Sequence, residues 1–129
     1  FYRGTVDYVY SMSRNYMTGG GAGRHHGPGF VYVMEDKKHN QVKIGYSGNP
    51  ERREGEIQRD RPGTTLVGYI KANEMNRAET AAQRKAEKDL GMAKVARNAT
   101  DWYNVPKGVT SQDVFDTMRG AVYNHNRKN

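Results

Sequence analysis

The chain has 129 residues, with 21 Lys and Arg against 14 Asp and Glu for a formal charge of +7, and it contains no cysteine. That length suits a single domain, and the missing cysteines exclude disulfides, zinc–thiolate centres and thiol nucleophiles. The basic balance points to a polyanion such as nucleic acid, no stretch approaches the roughly 20 consecutive apolar residues of a membrane span, and residues 1–20 lack a basic start followed by an apolar run.

Val6, Val9, Tyr10, Ser13, Tyr16 and Met17 recur at helical spacing, which predicts a short amphipathic helix over residues 5–17. Thr18 to Gly29 holds six glycines with His25, His26 and Pro28, a composition that predicts a connector without regular structure. The chain therefore divides into an appendage, 1–28, and a core domain, 29–129. Phe30 to Met34 and Gln41 to Tyr46 are rich in β formers and flank a turn over Asp36 to Asn40, so an antiparallel hairpin is expected. Asn49-Pro50-Glu51 is a helix start, with a capping side chain, a proline at the first helical position and an acid at the positive end of the dipole. That helix runs to about Arg59 and stops at Pro62-Gly63.

Thr65 to Ala72 predicts a third strand with Leu66, Gly68 and Ile70 on one side, Gly68 marking a bulge or a close backbone approach. Asn76-Arg77-Ala78-Glu79 has the spacing of a capping box, and Ala78, Ala82, Ala86 and Leu90 continue on one face until Gly91 ends the helix. Thr100 to Val105 fits a late extended segment. Thr110 or Ser111 caps a last amphipathic helix carrying Val114, Phe115, Met118 and Val122, with a frayed polar tail after Tyr123. The expected fold is α+β: a small, mostly antiparallel three-stranded sheet flanked by helices.

The segments Phe30-Val31-Tyr32 and Lys43-Ile44-Gly45, followed by Arg53 and a helical Glu79, resemble the GIY-YIG nuclease superfamily over about residues 29–105. The string KIGYSGNPERR looks like the phage-type branch in which Lys replaces the tyrosine of YIG. The resemblance implies a metal-dependent endonuclease acting on DNA, with Tyr32, Lys43, Arg53 and Glu79 as catalytic residues, Glu79 as the ligand of Mg²⁺ or Mn²⁺, and RNA as the other conceivable substrate. The residue types suit that chemistry. A carboxylate holds a hard divalent ion together with waters and phosphate oxygens, and an arginine fork grips the scissile phosphate. Tyr32 would help to deprotonate the attacking water, and Lys43, sharing a face of the hairpin with it, would either lower the Tyr32 pKa or serve as the base itself.

Structural roles compete at each position: Glu79 as the capping-box partner of Asn76, Tyr32 as a packing tyrosine, Arg53 as a solvated helix face and Gly45 as a bulge glycine. The joint spacing is what none of these roles predicts. Some superfamily members carry His or Tyr four residues after the arginine; here that position is Ile57. Tyr46 and His39 are the nearby substitutes, and Asn98 or Asn104 corresponds to a late asparagine. Gly45, Tyr46, His39, Arg84 and Asn98 complete the expected substrate-binding set, Arg84 being one of the basic residues Arg77, Arg84, Lys85, Lys88, Lys94 and Arg97 around the second core helix. The alternative function is a nucleic-acid-binding module of the same fold without cleavage. In deployment, a cysteine-free basic nuclease behind a glycine-rich connector fits the toxic C-terminal domain of a larger secreted protein that acts in a cytoplasmic setting, with an acidic immunity protein as its partner.

Overall fold

The computed structural model describes residues 27–96 and 101–128; the helix expected over residues 5–17, His25, His26 and Asn98 lie outside that range. Strands β1 (Gly29–Asp36) and β2 (Gln41–Ser47) form the expected hairpin. Its turn closes through a hydrogen bond from the Asn40 N–H to the Lys37 carbonyl at 3.2 Å. Asn40 takes the left-handed conformation there, φ 54°, which asparagine tolerates better than most side chains. Helix α1 (Pro50–Gln58) follows, with the Asn49 side chain accepting from the Arg52 N–H at 3.2 Å.

The sheet has five antiparallel strands rather than the expected three. β3 (Thr64–Ala72) pairs with β1 on the side away from β2. Two short strands, β4 (Ala93–Lys94) and β5 (Trp102–Asn104), extend the other side, giving the order β3-β1-β2-β5-β4. β5 was anticipated as an extended segment; β4 is too short to show any alternation. The β1–β3 register shifts between Val33 and Met34, which face Gly68 and Leu66 and leave Val67 as the extra residue. This bulge corrects the reading of β3. Leu66 packs with Phe30, Tyr32, Met34 and Tyr69, while Ile70 packs against the opposite face.

Each face of the sheet carries its own core. On one, Val31, Val33, Val42, Ile44 and Tyr103 pack against α2 (Met75–Leu90) and α3 (Ser111–Lys128). On the other, Phe30, Tyr32, Met34, Leu66 and Tyr69 are covered by α1 through Ile57. Ala78, Ala82 and Ala86 have no exposed surface, their small side chains letting α2 lie close against the strands. α2 starts one residue before the predicted box, because the Met75 N–H bonds to the Gly27 carbonyl at 2.9 Å and Glu74 takes the cap position. The expected capping box of Asn76 and Glu79 is therefore absent, and Glu79 is a buried carboxyl. Gly91 ends α2 in the left-handed conformation, φ 68°, as expected.

For α3 the capping residue is Thr110. Its Oγ1 accepts from the Asp113 N–H at 3.1 Å, and the Asp113 carboxylate accepts from the Thr110 N–H at 3.0 Å. The helix continues past Tyr123 instead of fraying, since Asn126 donates to the Lys71 carbonyl at 3.0 Å and accepts from the Asn73 N–H at 3.0 Å. Thr110→Ala removes one half of the reciprocal cap, and the expected loss is about 1 kcal/mol of unfolding free energy in a urea titration with unchanged slope. An unchanged midpoint would place the helix start elsewhere.

Candidate active site

The site lies where β2 loses its outer neighbour. β5 pairs only with Gln41–Lys43, and the Asp101 carbonyl extends the contact by one bond, accepting from the Ile44 N–H at 3.2 Å. Among the described residues no strand pairs with Gly45–Ser47 on that side. Side chains from both faces of the sheet converge at this edge: Tyr32 and Arg53 from the α1 side, Glu79 and Gln83 from α2.

Tyr32 stands opposite Gly45 in the β1–β2 ladder. A Cβ on Gly45 would lie 2.5 Å from the Tyr32 hydroxyl and 2.6 Å from Cζ, so only glycine lets the ring lie across β2 toward the open edge. Arg53, half exposed on α1, is hydrogen-bonded to the Tyr32 hydroxyl and paired with Glu56 at 3.0 Å. Burial pushes the Tyr32 phenol well above its ordinary pKa; Arg53 opposes that, while the charges of Asp101 and Glu79 add to it. The expectation that Lys43 lowers this pKa is therefore corrected. The cation bonded to Tyr32 is Arg53, and the Lys43 ammonium bonds instead to Asp101 at 3.3 Å.

Lys43 is nearly buried, and desolvation lowers its pKa while Asp101 works against the loss of charge. Asp101 is held from the other side by Gln83, whose Nε2 donates to Oδ1 at 3.2 Å and to the Ile44 carbonyl at 2.9 Å. Glu79, one turn before Gln83, is hydrogen-bonded to Asp101, and its carboxyl is pushed up to about 8, first by burial and then by the Asp101 charge. Lys43 and Lys94 act in the opposite direction on Glu79, which brings β4 to the rim of the site. Two hydrogen-bonded carboxyls offer hard oxygen donors that suit Mg²⁺. Among the described residues no group of three or more His, Asp and Glu side chains could hold a metal, so an ion at this pair would keep most of its coordination as water and substrate oxygen.

Of the expected set, Tyr32, Lys43, Gly45, Arg53 and Glu79 come together. Tyr46 lies on the opposite face of β2 from Tyr32 but feels the charges of Glu79 and Asp101, which with burial raise its pKa. His39 does not join them. It sits in the hairpin turn with Nδ1 2.8 Å from Asp36, which also pairs with Arg61 at 3.2 Å, and Arg61 in turn stacks 3.9 Å over Trp102. Arg84 follows Gln83 by one residue, about 100° round the helix, and is exposed. Asn104 bonds to Gln41 at the far end of β5.

Sequence reasoning missed Asp101 and Gln83. Gln83 had a signal, since it sits four residues after Glu79 and beside the alanine face of α2, where a polar side chain needs a buried partner. Asp101 had none, because its nearest partner in the chain, Gln83, is 18 residues away and Lys43 is 58 away.

The T5orf172 domain, a phage-associated domain often linked to GIY-YIG- and HNH-type nuclease-like proteins, matches residues 29–119. No curated protein and no solved structure matches the chain. The matched segment begins with β1 and ends inside α3, so it contains every residue of the cluster described above.

Gly45→Ala places a methyl group against the Tyr32 ring, and the expected cost is about 1 to 3 kcal/mol of stability. In a Tyr32→Ala background the same substitution should cost much less, because the clashing ring is gone. Equal costs in the two backgrounds, measured by denaturant unfolding, would mean that Tyr32 does not rest on Gly45.

Proposed function

Because the chain belongs to the T5orf172 domain family, we propose that it is a nuclease of the GIY-YIG type that cleaves phosphodiester bonds of DNA with a divalent metal ion. The observation that carries this reading is the convergence, at a strand edge that no strand among the described residues pairs with, of an arginine bonded to a tyrosine hydroxyl and a lysine bonded to Asp101 of an acid pair. Cleavage of a phosphodiester needs a cation for the developing charge, a positioned water and help for the departing oxygen. The cluster holds residue types for each need.

Arg53 presents a planar fork to solvent and would bind the scissile phosphate while its bond to Tyr32 fixes its direction. The Tyr32 hydroxyl, un-ionised at neutral pH, would orient the attacking water through its oxygen. The Lys43 ammonium would face the nonbridging oxygens. Glu79 would hold the metal ion with Asp101 beside it, and Mg²⁺ bound there would lower the pKa of a water and neutralise phosphate charge. Ile57, at the position where some superfamily members have His or Tyr, packs into the core beneath α1. No proton is assigned to it.

The test is incubation of the purified protein with supercoiled DNA and, separately, RNA, with Mg²⁺ and with EDTA. Nicking that requires Mg²⁺ is the expected result; binding without cleavage would leave a nucleic-acid-binding module. Glu79→Gln should reduce the cleavage rate by about two to three orders of magnitude, the usual cost of removing a preorganised electrostatic element, with DNA affinity retained. Arg53→Ala should lose far more turnover than affinity if its fork acts on the scissile group in the transition state. Equal losses in rate and affinity would make Arg53 a general backbone contact whose effect fades with salt.

A further inference from the structure

Lys43 is an unusual group to find on the inner face of a small sheet. Its side chain is only 10 % exposed, and it is a long, flexible stem ending in a charge that burial penalises. Among the described residues its one ion pair is with Asp101. Besides its bond to Glu79, Asp101 is anchored at three points. Its carbonyl accepts from the Ile44 N–H at 3.2 Å, its Oδ1 accepts from Gln83 at 3.2 Å, and its Oδ2 accepts from Lys43 at 3.3 Å. Gln83 closes the ring by donating to the Ile44 carbonyl at 2.9 Å. The bracket thus ties α2, β2 and the residue before β5 to one another, and the lysine ammonium is its free end.

We propose that Asp101, braced by Gln83, is the positioning residue that holds the Lys43 ammonium toward the scissile phosphate. The assignment rests on the nuclease reading above. An ammonium has three donors, so the bond to Asp101 leaves two for substrate oxygens. Only a carboxylate meets the geometry. Two donors approach its two different oxygens, and the amide of an asparagine would turn its NH₂ toward either Gln83 or Lys43. Gln83 cannot compensate by rotating its own amide without depriving the Ile44 carbonyl of its donor. Lys43 released from this bond regains rotamers and spends less time in the productive direction.

The experiment is a double-substitution cycle on single-turnover cleavage of supercoiled DNA at saturating Mg²⁺, with Asp101→Asn, Lys43→Met and the pair combined. DNA affinity is measured with Ca²⁺ in place of Mg²⁺, and folding by thermal melting. Asp101→Asn is expected to slow cleavage about tenfold or more at saturating Mg²⁺ through misplacement of the ammonium, to leave DNA affinity unchanged, and to add nothing to Lys43→Met. Rate losses that multiply, or an undiminished rate in Asp101→Asn, would overturn the assignment. A raised half-activating Mg²⁺ concentration with a normal rate at saturation would overturn it in favour of a metal-ligand role. If Asp101→Asn does not fold, Gln83→Leu replaces it in the cycle, with the same non-additivity expected and the same multiplication overturning the proposal. Absence of cleavage by the unsubstituted protein would overturn the nuclease reading and this assignment together, and is read before any variant is made.

Discussion

The ring of Tyr32 crosses β2 at the one position where that strand has no side chain, and the rest of the site depends on that crossing. With any Cβ at Gly45 the ring would meet it at 2.5 to 3.0 Å, and the hydroxyl could not extend to Arg53. The crossing is useful because β5 stops at Lys43, leaving the edge beyond it without a strand partner among the described residues. A longer β5 would complete the ladder and close this edge, where groups from the two faces of the sheet meet. A cluster that draws side chains from both faces needs such an edge, since the five-stranded sheet separates α1 from α2.

Electrostatic balance governs what the cluster can bind. Burial first, and then the Asp101 charge, raise the Glu79 carboxyl to about 8, while Lys43 and Lys94 hold it short of a larger shift. The buried Glu79 carboxyl is costly to ionise in the free protein, and on the proposed function a divalent ion would take the place of its proton. By contrast, Asp36 at the other end of the hairpin has its carboxyl held below the usual range despite its burial, by bonds from His39 and Arg61, so it is fully satisfied and structural.

Much of the fold was legible because its signals are local. Asn49-Pro50 starts α1, Gly91 stops α2, and the apolar positions of α3 face the core as its periodicity predicts. The misreadings came from tertiary contacts. The Gly27 carbonyl recruits Met75 into α2 and erases the capping box, Val67 bulges and sends Leu66 to the other face, and Asn126 pins the polar end of α3 to β3. The site divides in the same way. Tyr32, Lys43, Arg53 and Glu79 lie in recognisable segments and are brought together. Asp101 and Gln83 acquire meaning only when β5 folds back against β2. Lys43 was read as the partner of Tyr32 because the two share a face, yet a nearby carboxylate binds an ammonium more strongly than a neutral phenol does.

The acid pair is the centre of this account, and ¹³C NMR of the Glu79 side-chain carboxyl tests it most directly, recorded across pH with and without Mg²⁺. The account predicts titration near pH 8 in the free protein and, on adding Mg²⁺, a displacement of that titration to lower pH as the cation takes the place of the proton. A carboxyl that titrates in the ordinary range near 4, or one whose titration Mg²⁺ leaves unmoved, would contradict the claim that Glu79 and Asp101 form a cation site.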